Sequence, residues 1–324
     1  MKAIVNTAPN VMQWLDYPLP EPGPGQVRIR TGACGICATD LAMIAGWDRT
    51  GFPATPGHEW SGSVDAVGQG VNVALVGRRC VAENVWVSDG GEVGFEHPGG
   101  YGQYLITEAA NVQPLPDGFP FATAALIEPL AVCVRALNRL GPVQGNVLIF
   151  GDGPIGLLTT ALLARRGAGD IALVGGRAQR LSLAREFGAR CTVNHHEVSG
   201  DLAQAIRTQV GGAFSAVVEA TGSDAAIRAA LALTAREGRL LIVGDYAQAR
   251  ADFPWNFMLH NELTMLSSNA SAGAWPEAVR LAVSKQVPLE RLVTQRYPAA
   301  QFNEALALTR DRRGDVMKVV LEWE

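Results

Sequence analysis

Cysteine is scarce in this chain: five residues, at positions 34, 37, 80, 133 and 191, in a length of 324. An odd, scattered set without secretory features makes no disulfide framework, and it fits a reducing cytoplasm. Cys34-x-x-Cys37 has no second cysteine pair, so a four-cysteine structural metal site is not supported, and it lacks the βαβ setting of a redox pair. An excess of charge of either sign is also missing. Lys and Arg number 27 against 31 Asp and Glu, a formal net charge of -4. With no basic face, nucleic acid is not an expected partner. Nor is there a long unbroken apolar run. The stretch 147–164 is interrupted by Asp152, Pro154 and three glycines, which argues against a membrane span. The opening MKAIVNTAPN has too short an apolar core for a signal peptide. No repeat at a fixed period and no low-complexity tract is present.

What the chain does have is apolar content, 48% over 324 residues, enough for a sizeable core and two domains. Up to about residue 130 the texture is β-like. Short runs at 2–5, 26–31, 62–67, 79–82 and 103–106 are separated by proline- and glycine-rich turns such as PLPEPGPG at 18–25. That pattern predicts a mostly antiparallel, barrel-like domain. From about 131, strands (VLIFG, IALVG, 216–219, 240–243) alternate with apolar helical patterns, as in a parallel, doubly wound sheet. After a strand at 263–268 come an amphipathic helix at 275–284, a helix at 302–310 and a closing strand at 316–322. The expected fold is therefore α/β, with a Rossmann doubly wound sheet (131–268) inserted in a mostly β, barrel-like catalytic domain made of 1–130 and 269–324.

The most informative stretch is VLIFGDGPIG, 147–156. An apolar strand runs into a Gly-x-Gly-x-x-Gly turn and then a helix, the dinucleotide-binding fingerprint. Gly151 allows the tight turn, Gly153 lets the backbone approach a pyrophosphate, and Gly156 lets helix and strand pack closely. Gly151, Gly153, Pro154, Ile155 and Gly156 are thus candidate phosphate-binding residues at a helix N-terminus. The bland alternative is an ordinary glycine-rich turn. A second strand ends at Val174, where the ribose should be read. An NAD enzyme usually carries an acid there. This chain has Gly175, Gly176 and Arg177, with Arg180 beyond. Small residues make room for a 2′-phosphate and a guanidinium grips it, so NADP(H) is favoured over NAD(H). The alternative is that both arginines are solvated.

Two clusters precede this stretch: Cys34-Gly-Ile-Cys37-Ala-Thr39-Asp40, and Gly57-His58-Glu59-Trp60-Ser-Gly62. A thiolate, an imidazole and a carboxylate together suit a zinc site with an open position. Taken singly, His58 can be a satisfied core histidine and Glu59 a solvated strand end. Trp47, Phe52, Trp60 and Trp86 flank these segments and are either pocket wall or core.

Cys37, the Gly-His-Glu triplet, the turn at 151 and the order of domains together resemble the medium-chain, zinc-dependent alcohol dehydrogenase superfamily over essentially the whole chain. Gly25-Gln26-Val27, the GGYGQY segment at 99–104 and Ile127-Glu128-Pro129-Leu130-Ala131 strengthen the likeness. Glu59 and the Glu-Pro-Leu-Ala segment look most like the polyol (sorbitol) and threonine dehydrogenase branch. The resemblance implies a GroES-like catalytic domain in which Cys37 and His58 ligate zinc. Glu59 is implied as a third ligand or a near neighbour exchanging with water, and Glu128 as completing or supporting the sphere. Glu128 also reads as an acid stabilising a helix start. Thr39 is implied as a proton relay and Asp40 as the group orienting His58. Thr221 and Val243 are implied at strand ends lining the cofactor site, and Lys318 at the pyrophosphate, unless it is a solvated strand lysine.

The chain departs from the family where many relatives carry a lobe with four cysteines and a second zinc. Here 83–98 (ENVWVSDGGEVGFEHP) has none, so one zinc is expected, and substrate and assembly do not carry over. Arg78 stands where an Asp is common, a surface change. The resulting expectation is a cytoplasmic, homodimeric or homotetrameric oxidoreductase. It would move a hydride between a nicotinamide cofactor and a secondary alcohol or polyol, or the matching ketone or aldehyde. The alternatives are a zinc-free quinone or enone reductase of the same superfamily, and a non-catalytic dinucleotide-binding protein.

Overall fold

Proline and glycine cut the first part of the chain into short strands. The computed structural model describes residues 1–47, 49–247, 250–311 and 314–323. β1 (Lys2–Ala8) and β2 (Val11–Asp16) form an antiparallel ribbon. β3 (Gln26–Gly35) is the spine: antiparallel to β4 (Glu59–Val67) along almost its whole length, it also pairs with β6 (Tyr104–Glu108). Val27, Ile29, Thr31 and Ala33 alternate into the interior, the period of two that a half-covered strand requires. β5 (Arg79–Ala82) and β7 (Val112–Pro114) extend this sheet beyond β4. Helix α1 (Ala38–Ala45) leaves the end of β3 and stops at Gly46, whose φ of 103° suits the left-handed cap. Two helices follow, α2 (Phe121–Ala125) and α3 (Ile127–Leu140). The stretch Phe121–Leu140 is long and apolar enough to cross a membrane, but 78% of it is buried inside the protein, as in a core helix.

The middle of the chain alternates strictly: β8 (Val147–Phe150), α4 (Pro154–Arg165), β9 (Ile171–Gly175), α5 (Ala178–Glu186), β10 (Cys191–Asn194), α6 (Leu202–Val210), β11 (Phe214–Glu219), α7 (Asp224–Leu233), β12 (Thr234–Ile242), α8 (Trp255–Asn261) and β13 (Thr264–Ser267). All neighbours in the sheet are parallel, in the order β10-β9-β8-β11-β12-β13. Every residue of β8 is buried, as a strand covered on both faces must be. The order reverses at β8, and ligands of such sheets bind beyond the carboxyl ends of the strands at that reversal.

The tail adds α9 (Trp275–Val283), β14 (Val293–Pro298), α10 (Phe302–Asp311) and β15 (Lys318–Glu322). β15 lies antiparallel to β3, with Val320 opposite Gly35, and parallel to β14. The last strand therefore joins the sheet that the first strands began. The chain divides into one unit of Met1–Ala131 with Ala272–Glu324, and a second of Val132–Ser271. Ile4, Ile29, Trp60, Tyr101, Phe302 and Leu321 lie in the core of the first, and Leu148, Phe150, Ile206, Val217 and Leu240 in that of the second.

The doubly wound α/β sheet and the β-rich unit are as the sequence predicts. Four strands were not anticipated: β2, β7, β10 and β14. Of these, β7, β10 and β14 lie at edges of their sheets, where pairing on one side only leaves a short or half-polar strand without a clear apolar pattern.

Candidate functional site

In the first unit, β3, α1, β4 and β15 bring five charged or ligating side chains together. Cys37 precedes α1, and its backbone N–H donates to the Asp40 carboxylate at 2.8 Å, fixing the first turn of the helix. The other Asp40 oxygen lies 3.1 Å from His58 Nδ1. Asp40 is wholly buried and His58 nearly so. A hydrogen bond at Nδ1 leaves Nε2 as the nitrogen with a free lone pair. Burial pushes the His58 pKa down, but the charge and hydrogen bond of Asp40, then Cys37, outweigh it and hold the group well above its ordinary value. A field that favours a proton on this ring favours a metal cation as well. Thr39 Oγ1 is 3.6 Å from Cys37 Sγ.

Glu59 opens β4 opposite Gly35. A Cβ on Gly35 would stand 2.4 Å from Glu59 Oε2, so the carboxylate folds back over a glycine. Its Oε1 pairs with Lys318 Nζ, which is also 3.4 Å from the Ile36 carbonyl. Its Oε2 is buried and has no hydrogen-bond partner among the described residues. Orphaned buried carboxylate oxygens are costly, and a cation is the usual remedy. One ligand atom each from Cys37, His58 and Glu59 lies within 4.8 Å of the other two. Sulfur, nitrogen and oxygen in that arrangement fit a zinc ion.

Two sequence expectations change in detail here. Lys318 is not a solvated lysine. It is 4% exposed, and its ammonium is turned on Glu59 rather than outward. Burial opposes its charge, while Glu59 and Cys37 overcome that and hold its pKa above the ordinary value. Glu128 lies in the first turn of α3, outside the cluster of three ligand atoms. Burial first, with Glu59 adding and His58 and Lys318 opposing, pushes it up to about 7.

The surroundings hold residues that the sequence did not single out. Asn84 Nδ2 donates to the His58 carbonyl at 2.8 Å while its Oδ1 accepts from Trp60 Nε1 at 3.0 Å. Trp60 is therefore core. Phe95 sets its ring 5.1 Å from that of His58, and Trp47 meets Phe95 edge-on at 6.4 Å. Arg49 lies 4.3 Å over Phe95 and pairs with Glu92 and Glu96, each at 2.8 Å. Trp86 stacks on His97 at 3.7 Å, which is 3.1 Å from Asp89. The cysteine-free segment 83–98 is thus shaped by ring stacking and ion pairs. Phe52 remains 38% exposed.

In the second unit, the glycine turn has the form its sequence implies. Gly151 has φ of 115°. A Cβ on Gly156 would fall 1.9 Å from the Gly151 carbonyl. Beside Gly153 there is open space, as the fingerprint requires for close approach of a pyrophosphate. Pro154 and Ile155 begin α4. Beyond β11, Glu219 is wholly buried and organises the strand ends. It accepts from the Thr221 N–H at 2.7 Å, the Gly222 N–H at 3.2 Å and the Tyr246 hydroxyl at 2.5 Å, and its carbonyl accepts from the Val243 N–H at 2.9 Å. Thr221 and Val243 are so fixed side by side.

At the end of β9 the expectation needs correcting. The small Gly175 does not leave room, because Asp152 from the glycine turn fills it. A Cβ on Gly175 would lie 2.5 Å from that of Asp152. Asp152 Oδ2 accepts from the Gly176 and Arg177 N–H groups at 2.9 Å each, and Oδ1 is 3.8 Å from Arg180. The motif reading passes over Asp152, since that position in Gly-x-Gly is nominally free.

Comparison with known proteins follows the same division. Residues 23–117 match the alcohol dehydrogenase GroES-like domain, and residues 154–284 match the zinc-binding dehydrogenase family. The sorbitol dehydrogenase of Homo sapiens is 30% identical, over 99% of this chain and 96% of that protein. The D-arabitol-phosphate dehydrogenase of Enterococcus avium is 28% identical, over 99% and 97%. Among solved structures, the 2R,3R-butanediol dehydrogenase of Bacillus subtilis superposes with a TM-score of 0.89 at 26% identity, covering 99% of each chain.

Proposed function

The chain belongs to the medium-chain, zinc-dependent alcohol dehydrogenase superfamily, in its polyol branch, and we propose that it interconverts a secondary alcohol or polyol with the matching ketone or aldehyde using one zinc ion. As an NAD(P)-dependent alcohol dehydrogenase it uses a nicotinamide cofactor. The observation that carries the zinc reading is the convergence of Cys37, His58 and Glu59 within 4.8 Å, with Glu59 Oε2 unpartnered among the described residues.

When bound, zinc supplies Lewis acidity toward the substrate oxygen and the nicotinamide supplies the hydride acceptor or donor. The chain's own residues do the rest. Asp40 holds His58 in the tautomer that presents Nε2. Lys318 holds one oxygen of Glu59 and leaves the other for the ion. The Thr39 hydroxyl, beside Cys37, takes the proton released by an alcohol and passes it on. Glu128 supports the cluster from α3, with a carboxyl that exchanges its proton near neutrality. Phe95 and Trp47 form an apolar wall beside His58.

Gly151, Gly153, Pro154, Ile155 and Gly156 cradle the pyrophosphate, with Thr221 and Val243 at the neighbouring strand ends. For the ribose, the Arg177 and Arg180 side chains support NADP(H). A second reading, NAD(H), is favoured by the Asp152 carboxylate, which accepts from the Gly176 and Arg177 N–H groups and lies near Arg180. The unpaired edge of β13, with Trp255 and Leu259 exposed nearby on α8, supports a homodimer or homotetramer. The five cysteines, none of them in a disulfide, support a cytoplasmic location.

Elemental analysis together with nicotinamide absorbance on an alcohol and ketone panel tests the proposal. About one zinc per chain with turnover is expected, and Cys37→Ala and His58→Ala should lose metal and activity together while still binding cofactor. Turnover in metal-free protein would instead indicate a quinone or enone reductase. Cofactor binding without turnover on any substrate would indicate a binding protein.

A further inference from the structure

The end of β9 is furnished with an acid that β9 itself does not supply. Asp152 reaches over from the glycine turn, and β9 must close on glycine to admit it: a side chain at Gly175 would collide with Asp152 Cβ at 2.5 Å and with its Cγ and Oδ2 at 2.7 Å. On the other side, a Cβ on Gly176 would meet His195 Nε2 and His196 Nε2, both at 2.7 Å. Burial, then His196, lowers the His195 pKa, against the pull of Asp152. The strand end is thus enclosed by one carboxylate, two imidazoles and the Arg180 guanidinium, whose side chain and that of Asp152 are both largely buried.

This is where a doubly wound sheet reads the adenosine ribose, by an acid for the 2′-hydroxyl or by donors for a 2′-phosphate. The backbone donors present are the N–H groups of Gly176 and Arg177, and Asp152 already occupies both while lying 3.8 Å from the Arg180 guanidinium. We infer that Asp152 is the cofactor-selecting residue, a resident anion that stands on the donors a 2′-phosphate would need and so weakens NADP(H) relative to NAD(H). A second anion brought onto the same two donors meets like charge at close range, and juxtaposed like charges are a principal means of rejecting a ligand. The inference rests on the proposed reading that this unit binds a nicotinamide dinucleotide at its glycine turn.

Titrating wild type, Asp152→Asn and Asp152→Ala with NADH and NADPH by fluorescence tests it. Asp152→Asn keeps the size and an acceptor oxygen for the loop while removing the charge. The NADPH-to-NADH affinity ratio is expected to rise about tenfold or more in both variants. A merely structural role would weaken both dinucleotides alike and leave the ratio where it was. If wild type and Asp152→Asn bind both cofactors at the same ratio, the inference is overturned and the dinucleotide reading stands. If wild type binds neither, the dinucleotide reading fails and takes this inference with it.

Discussion

Lys318→Met tests the cluster at its most exposed assumption, that a buried ammonium balances Glu59. The two side chains are 6% and 2% exposed, so water screens the pair little. Removing one partner of such a pair strands the other charge, at a cost of about 3–5 kcal/mol. At about 2–4 °C per kcal/mol for a domain of this size, the metal-free variant should melt about 6–20 °C below wild type. Bound zinc offsets the same carboxylate, so the deficit should shrink when the metal is restored. Thermal unfolding of wild type, Lys318→Met, Glu59→Gln and the double variant, each with zinc and with chelator, reads both effects. In chelator the double variant should recover most of the loss, because no lone charge remains. A Lys318→Met protein that melts with wild type in chelator, or a double variant no better than the single one, would refute the reasoning.

Two further predictions follow from the geometry. Gly35→Ala drives a methyl group to 2.4 Å from Glu59 Oε2; it should cost about 1–3 kcal/mol by overpacking and lower zinc retention on dialysis, measured by elemental analysis, and full retention would count against the ligand role of Glu59. Tyr246 donates to Glu219, and burial first, then that hydrogen bond and charge, raise its phenol pKa. Because the folded-state value lies above the unfolded value of about 10, the stabilisation is complete below that pH and falls away as pH rises beyond it. Urea unfolding should therefore weaken above about pH 10 more in wild type than in Tyr246→Phe.

The second unit was the more legible in the sequence, because a buried parallel sheet writes itself as apolar runs and its turn as spaced glycines. Even there, β10 (CTVN) escaped, since an edge strand of four mixed residues has no period to detect. The proposed ligands Cys37, His58 and Glu59 could be picked out because a thiol, an imidazole and a carboxylate stand in two short segments of the sequence. What surrounds them could not. Lys318 reaches Glu59 only through the register of β15 on β3, 259 positions away. Asp152 meets Gly176 and Arg177 across 24 and 25 positions, and Asn84 ties His58 to Trp60 from a segment with no pattern at all. Side-chain meetings set by strand register leave no local signature.

The segment 83–98 is laced by ring stacking and ion pairs and also brings Phe95 beside the His58 ring. One stretch of chain is thereby both brace and wall. Its fixed points are Trp86 with His97 and Arg49 with the two glutamates, while Asn84 and Phe95 meet His58. A change at position 95 is therefore felt both by the His58 ring and by the Arg49 and Trp47 side chains that brace the segment.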